Sequence, residues 1–328
     1  MQTIIPRIHQ FISQEFLVPD NATIIIGLSG GPDSVFLLHA LADIRKEKNI
    51  HIIAAHLNHE WRPEALHDEL LCQQLCAKLS VPLISKKMSE LGLQIKFNGS
   101  KEEIGRKARR YFFESLAKEY NAQAIALAHH ADDQMETFFI RLIRGASLAG
   151  LAGMKAKDGM YIRPLLEIKK AEIVAYLDKH QIAYAVDASN ESAEYLRNRI
   201  RNSVIPALKQ CDDRFDSNFA TTHEQLQQTE DFLQQLAQRT FSEIHIAHAI
   251  DIEKLLALHA VLRTRVLILW IIANKVPFIP SQGFFDEIIR FLEKSGNTEH
   301  TFYGKWIVKK LRNDATILKM NSEHDKVQ

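Results

Sequence analysis

The sequence has few cysteines, almost no net charge and no long apolar run. Its cysteines Cys72, Cys76 and Cys211 form no CxxC pair, so no disulfide framework is expected and a reducing cytosol fits. Lys+Arg number 41 and Asp+Glu 40, so any contact with nucleic acid must come from local patches. The longest apolar run, residues 266–273, is too short to cross a bilayer, and the N-terminus lacks a signal peptide. A cytoplasmic protein with no membrane partner is expected.

The most informative stretch is IIIGLSGGPDSVFLL at residues 24–38. Its β-branched start is typical of a strand buried on both faces, and its apolar end indicates a helix packed on the sheet. The intervening SGGPDS lets a ligand approach the backbone and directs free amides and a helix dipole toward an anion. It is neither a Walker A loop nor GxGxxG, because no lysine follows the second glycine. The simpler alternative is an ordinary turn.

A carboxylate in this loop, that of Asp33, would repel a phosphate unless a cation lay between them. We therefore expect Mg²⁺ to bridge Asp33 and phosphate oxygens. The predicted nucleotide-binding residues of the loop are Ser29, Gly30, Gly31, Pro32, Asp33 and Ser34.

Apolar strand patterns alternate with helical patterns up to about residue 206. The predicted strands are residues 24–26, 51–57, 82–88, 123–128 and 160–165, and residues 146–159 are predicted as a loop. The alternation predicts an α/β fold, a parallel five-stranded sheet with helices on both faces, in which ligands bind beyond the carboxyl ends of the strands. We predict a catalytic domain at 1–214 and a smaller, mainly helical domain at 215–328, which ends in a hairpin of 301–310 and 315–319.

Ionisable residues collect where the predicted strands end. His56 and His59 lie at the C-terminal end of the second strand and suit a polar pocket rim, a plain loop end or, with no evident third ligand, a metal. The block HHADDQMET, which begins at His129, enters a helix after the fourth strand. Its acids Asp132 and Asp133 would hold Mg²⁺, orient an amine nucleophile or take its proton, whereas the alternative is complementation of the helix dipole.

Arginines form local cationic patches in this neutral chain. Arg106 lies on the charged helix 101–120, and Arg141 and Arg144 on the helix that follows the HHADDQMET block. Arg197 and Arg201 bracket a further patch. Contacts with phosphate are one interpretation, because guanidinium groups bind phosphate bidentately. Solvated helix faces and structural ion pairs are the other.

Taken together, these blocks resemble the tRNA(Ile)-lysidine synthetases, a family of PP-loop ATP pyrophosphatases, over residues 24–206. The resemblance rests on SGGPDS, HLNHEWR, EEIGRKARRY, HHADDQMETFFIRLIRG, RPLL and DASN…RNRIR. Two features depart from the family pattern. Asn58, Glu60 and Trp61 replace residues of a D-H-G-L-R pattern, and the final accessory domain of longer relatives is expected to be absent.

The resemblance implies an adenine nucleotide alpha hydrolase-like fold and a two-step ligation. ATP adenylates the 2-carbonyl oxygen of the wobble cytidine in the CAU anticodon of tRNA(Ile), and free L-lysine then displaces AMP through its ε-amine. The implied partners are tRNA(Ile), lysine and ATP, and a homodimer is one option for the assembly. The alternatives are a PP-loop enzyme that thiolates tRNA or amidates another substrate, and a non-catalytic nucleotide sensor.

The same resemblance implies a set of roles. The implied catalytic residues are Asp33, Asp132, Asp133 and Arg106, with Mg²⁺ on Asp33. The implied ATP site is the six-residue loop with His56 and His129. The residues expected to contact tRNA or lysine are Glu136, Arg141, Arg144, Arg197, Asn198 and Arg201.

Overall fold

The computed structural model describes residues 4–61, 65–92, 101–186, 196–278 and 281–320, except the side chains of Lys46 and Glu102. The chain divides into two compact units, Met1–Ala220 and Thr221–Gln328. Arg62 and the DASN block at residues 187–190 lie outside the described residues.

The first unit is built on a six-stranded sheet of order β3-β2-β1-β4-β6-β5. Its strands are β1 (Thr23–Gly27), β2 (His51–Asn58), β3 (Leu83–Lys87), β4 (Ala124–Ala126), β5 (Lys157–Asp158) and β6 (Tyr161–Ile162). All neighbours pair in parallel except β5 with β6. The five predicted parallel strands are confirmed. The sixth, the antiparallel edge strand β5, was not predicted because both of its residues are charged and exposed and so show no apolar pattern.

Helices cover both faces of this sheet, as predicted. They are α1 (Ile4–Gln14), α2 (Pro32–Lys48), α3 (Ala65–Lys78), α4 (Lys101–Glu119), α5 (Ala131–Ile143), α6 (Leu148–Leu151), α7 (Lys170–Lys179), α8 (Leu196–Arg199), α9 (Ile205–Cys211) and the start of α10 (Phe215–Ile244). Side chains alternate along a strand, so Ile24 and Ile26 join the core that contains α2, whereas Ile25 joins the one that contains Phe112 of α4. Cys72 and Cys76 are buried in the first core.

The order of the strands places the candidate site. β1 lies between β2 and β4, so the chain leaves β1 toward one edge of the sheet and returns on its other side at β4. A crevice opens at such a switch point, beyond the carboxyl ends of the two central strands. The loop at residues 28–31 follows β1, and the segment from residue 127 to the start of α5 follows β4.

The second unit contains the rest of α10 and a five-stranded sheet of order β7-β8-β11-β10-β9. Its other elements are β7 (His245–Ile246), β8 (Ala249–Asp251), α11 (Ile252–Ala257), α12 (Ala260–Ala273), α13 (Gln282–Glu293), β9 (Glu299–Phe302), β10 (Trp306–Leu311) and β11 (Asp314–Lys319). The hairpin is present as β10 and β11, but the predicted strand 301–310 is broken by a turn in which Gly304 has φ +65°. The short β7 and β8 were not predicted. Among the described helices, none is long and apolar enough to span a membrane.

Candidate functional site

The loop after β1 is organised around one buried hydroxyl, that of Ser34. Ser34 Oγ donates to the carbonyl of Gly31 at 3.0 Å, accepts from the amide of Ser29 at 3.1 Å, and lies 3.1 Å from Ser29 Oγ. Gly30 has φ +86°, a left-handed conformation that strains other residues, and a Cβ there would lie 3.5 Å from Cys72 Sγ. The positive φ, and not a lack of space, therefore favours glycine at this position, and the loop is held in shape by its own serines.

Asp33 lies in the first turn of α2, directly after Pro32, and contacts two cationic groups. Its Oδ2 lies 3.4 Å from Lys170 Nζ and 3.6 Å from His130 Nε2. Burial would raise the pKa of Asp33, but the hydrogen bond and charge of His130 and the charge of Lys170 outweigh it, so the pKa is lowered. The other oxygen, Oδ1, is buried and has no hydrogen-bond partner in the part of the chain that the structure describes. This buried oxygen is a candidate ligand for a cation at the loop.

The acids at the start of α5 have different surroundings. Asp133 accepts a hydrogen bond from the backbone amide of His130 at 3.0 Å, which caps α5. Asp132 Oδ2 accepts from the backbone amide of Lys170 at 2.8 Å and so caps α7. Burial would lower the pKa of His130, but Asp33, Asp133 and Asp132 together raise it. Asp132 therefore helps to hold the helix start from which Lys170 reaches Asp33.

A buried ion-pair network joins α5 to the segment that follows residue 195. Glu136, which is 1% exposed, accepts from Arg197 Nε at 2.6 Å and from Arg201 Nε and Nη2 at 2.5 and 3.0 Å. Asp133 Oδ1 accepts from Arg197 Nη2 at 2.6 Å. Asn198, the residue that follows Arg197, is also buried. The ion-pair interpretation of this arginine patch is thus the one present in the structure, and a contact with substrate stays a prediction.

Two histidines line the strand ends with unsatisfied nitrogens. His56 Nδ1 lies 2.9 Å from the carbonyl of Leu28, and since a carbonyl only accepts, Nδ1 carries the proton. His56 Nε2 and His129 Nδ1 are then buried atoms without a hydrogen-bond partner among the described residues. Burial lowers the pKa of His129 to about 4, against the attraction of Asp133. The imidazole of His129 is therefore neutral near pH 7.

The segment after α5 is anchored to it. Gln134 donates to the carbonyl of Met154 and accepts from its amide, both at 2.7 Å. Arg141 donates to the carbonyl of Gly150 at 2.6 Å. The predicted loop 146–159 is wrong in part, because it contains the helical turn α6 and strand β5. Arg144 is exposed and stays a predicted substrate contact, whereas Arg141 already uses a donor to hold this segment.

The arginines of α4 divide between two environments. Arg106 is exposed and forms no hydrogen bond or ion pair with the residues that the structure describes. Arg109 is near enough to His59 for its charge to lower the histidine's pKa, after the larger effect of burial. Arg110 instead donates to Glu114 at 2.9 Å. Arg106 therefore remains a candidate for contact with a phosphate.

Sequence reasoning missed Lys170 and assigned no role to His130. Lys170 follows the RPLL block at the start of a predicted helix, but no local pattern connects it with Asp33, 137 residues earlier. His130 was quoted only as part of a block. Its position directly after strand β4 was a usable signal, because that is where side chains of a parallel sheet meet ligands.

Comparisons with known proteins agree with this geometry. The PP-loop domain family matches residues 1–208. A tRNA(Ile)-lysidine synthase of Bacillus cereus is 37% identical over 240 residues, 72% of this chain and 50% of that protein. The bifunctional protein TilS/HprT of Listeria monocytogenes is 37% identical over 235 residues, 70% of this chain and 36% of that protein. The chain thus spans about half the length, or less, of these curated relatives.

Among solved structures, the U34-tRNA thiolase NcsA from Methanococcus maripaludis with its [4Fe-4S] cluster superposes with a TM-score of 0.58. It is 17% identical, and the match covers 68% of this chain and 78% of the thiolase, which shows a shared fold. The expected resemblance is confirmed by the lysidine synthase relatives, and the expected fold by this neighbour. With a family match over more than half of its residues, the chain belongs to the PP-loop domain family.

Proposed function

We propose that this protein is a ligase that joins the ε-amine of free lysine to C2 of the wobble cytidine in the CAU anticodon of tRNA(Ile), with ATP as the activating substrate. The observation that carries the proposal is the SGGPDS loop, whose Asp33 lies between Lys170 and His130 at the switch point of the sheet. The similarity to tRNA(Ile)-lysidine synthases over 240 residues supports this substrate assignment.

In the first step, the 2-carbonyl oxygen of the cytidine attacks the α-phosphorus of ATP. An O–P bond forms, the bond from the α-phosphorus to the bridging oxygen breaks, and pyrophosphate leaves. The loop of residues 29–34 binds the departing phosphates through its amides and through the hydroxyls of Ser29 and Ser34. Lys170 and Arg106 neutralise their charge, and His56 and His129 line the nucleotide site.

Mg²⁺ fits the loop, because Mg²⁺ takes one or two carboxylates together with phosphate oxygens and waters. The buried Oδ1 of Asp33 has no other partner among the described residues and is the oxygen that would hold it. When bound, Mg²⁺ would offset phosphate charge. The remaining oxygen, Oδ2, keeps its contacts with Lys170 and His130.

In the second step, the lysine ε-amine attacks C2 of the adenylated cytidine, a C–N bond forms and AMP leaves with the former carbonyl oxygen. The amine must arrive neutral and lose a proton after attack. Asp133 supplies the carboxylate that takes this proton, and Arg197, which Glu136 holds in place, positions it. Asp132 acts indirectly, since its carboxylate accepts from the backbone amide of Lys170 and so holds the start of α7, from which the Lys170 side chain extends.

The chemistry of the cysteines argues against the thiolating alternative. Burial raises the pKa of Cys72 to about 12 and that of Cys76 to about 11, so both remain thiols near pH 7. Sulfur transfer or cluster binding needs thiolates. An amidating synthetase or a nucleotide sensor is separated from the proposed ligase by experiment.

The test is incubation with ATP, labelled lysine and a tRNA(Ile) transcript bearing CAU, followed by nucleoside analysis. Labelled lysidine supports the proposal, and ATP–pyrophosphate exchange should depend on this tRNA. Exchange without RNA would favour an amidating synthetase, and no exchange with any substrate would favour a sensor. The domain boundary at 214, the cytoplasmic location and the homodimer stay predictions, the last to be checked by analytical ultracentrifugation.

A further inference from the structure

A half-buried histidine and an exposed tryptophan form an aromatic pair where β2 ends, next to the strand that leads into the SGGPDS loop. The rings of His59 and Trp61 stack with centroids 4.5 Å apart and planes 19° apart. His59 covers one face of the indole, yet Trp61 remains 46% exposed. Trp61 therefore presents the other face of a large aromatic ring to solvent.

The turn that presents this pair is built by specific contacts. Asn58 Oδ1 accepts from the amide of Glu60 at 2.9 Å, and Glu60 has φ 58°, a left-handed conformation that strains a residue with a Cβ. Glu60 Oε2 accepts from the amide of Ser89 at 3.0 Å, which ties the turn to the end of β3. Strain that neighbouring contacts hold in place is typical of functional turns. The aromatic pair is therefore presented in a fixed orientation.

A glycine of α4 makes room for the two rings. A Cβ at Gly105 would lie 2.7 Å from Trp61 Cη2 and 3.3 Å from His59 Cε1. The rings therefore rest edge-on against the backbone of α4, at the turn that carries Arg106 and, one turn later, Arg109. Burial lowers the pKa of His59 to about 4, with Arg109 adding repulsion, so the stacked pair is uncharged near neutral pH and cations stand beside it.

We propose that His59 and Trp61 form a stacking platform for an unpaired nucleobase of the RNA substrate, with Arg106 and Arg109 beside it for the backbone phosphates. Aromatic faces that alternate with cations are the features by which proteins bind single-stranded RNA. This inference rests on the proposed function in so far as RNA is the substrate. An aromatic platform beside cations would also accept the adenine of ATP, so the experiment distinguishes an RNA base from the adenine of ATP.

Fluorescence of Trp61 measures the platform directly. The other two tryptophans, Trp270 and Trp306, lie in the second unit. Trp270 is fully buried, whereas Trp306 is partly exposed. The measurement therefore uses a Trp306→Phe variant, in which Trp61 is the tryptophan exposed to solvent. In that background an anticodon stem-loop with CAU in its loop should quench the fluorescence, whereas a fully paired RNA duplex of the same length and ATP alone should not. Quenching by ATP alone would overturn the assignment to RNA.

Affinity for the stem-loop, measured without ATP or lysine, tests the energetic role. Stacking on one base corresponds to a change in affinity of about 5- to 150-fold, and Trp61→Ala should weaken binding about tenfold. Trp61→Phe keeps an aromatic ring and should largely preserve the affinity. Wild-type affinity of Trp61→Ala would refute the platform. Because no turnover is required, this result is independent of whether lysidine forms.

Gly105→Ala provides a second variant that leaves both rings in the chain. Its new Cβ forces the rings to shift, so it should weaken stem-loop binding when Trp61 is present. In Trp61→Ala it should add no further loss, because the platform is already gone. Equal losses in both backgrounds would mean that Gly105 acts on folding or on α4 alone, and would contradict its positioning role.

Discussion

Replacement of Glu136 by glutamine tests the buried ion-pair network most directly. The variant keeps the size of the side chain and removes the charge that receives three hydrogen bonds, at 2.5 to 3.0 Å, from two arginines. A hydrogen bond to a charged group contributes about 1 kcal/mol more than a neutral one, so three bonds correspond to a loss of about 3 kcal/mol. Breaking a buried ion pair costs about 3 to 5 kcal/mol, so a loss of about 3 kcal/mol is at the low end of that range. The low end is expected here because the side chains of Arg197 and Arg201 are 32% and 28% exposed.

Thermal unfolding followed by calorimetry should show the loss. For a unit of this size, about 3 kcal/mol lowers Tm by roughly 6 to 12 °C. The matched control is Glu103→Gln in the same unit, which removes an exposed partner of Lys107 at 3.2 Å and should change the free energy of unfolding by less than about 1 kcal/mol. Equal effects of the two substitutions would refute the argument that the Glu136 network is a buried structural element.

Three further predictions concern the crevice. Asp33→Asn should abolish ATP–pyrophosphate exchange and leave stem-loop affinity unchanged, and exchange at the wild-type rate would contradict its role toward Mg²⁺. Lys170→Ala should raise KM for ATP about tenfold, or roughly 1.4 kcal/mol, and Lys170→Arg should recover most of it; an unchanged KM would remove Lys170 from the phosphate site. NMR titration should give His59 and His129 midpoints near pH 4, against 6.5 when unfolded. Between about pH 4 and 6.5 the unfolded chain then binds more protons, so these two histidines make stability rise with pH. The pKa of His130 is raised, so this histidine stabilises the folded state at low pH. Its contribution to stability is lost as the pH rises through the pKa of the folded state.

Local patterns predicted most of the sheet. The run Ile24–Ile25–Ile26 had to be buried on both faces, and the structure places alternate isoleucines in two different cores. The strands β5, β7 and β8 left no such pattern. β5 consists of two exposed, charged residues, and β7 and β8 form an antiparallel pair in which only Ile250 is buried. The helical turn in the loop predicted after α5 was missed for a similar reason, since Gln134 and Arg141 hold that segment by contacts from outside it.

The candidate site divides in a similar way. The SGGPDS loop could be interpreted from sequence because its serines, glycines and proline act on one another within six residues. The acids after β4 could be placed at the right strand end but not given separate roles. Asp132 caps α7 and Asp133 pairs with Arg197, and nothing in the HHADDQMET block distinguishes them.

The sequence by itself determined the alternation of strands and helices and the tight turn of the first loop, because both depend on neighbours a few residues apart. Only the tertiary structure decided which charges meet. Lys170 reaches Asp33 across 137 residues, and Arg197 reaches Glu136 across 61. Contacts of that kind arise when a parallel sheet brings its strand ends together, since Coulomb attraction and hydrogen bonding depend on distance in space and leave no periodicity in the chain.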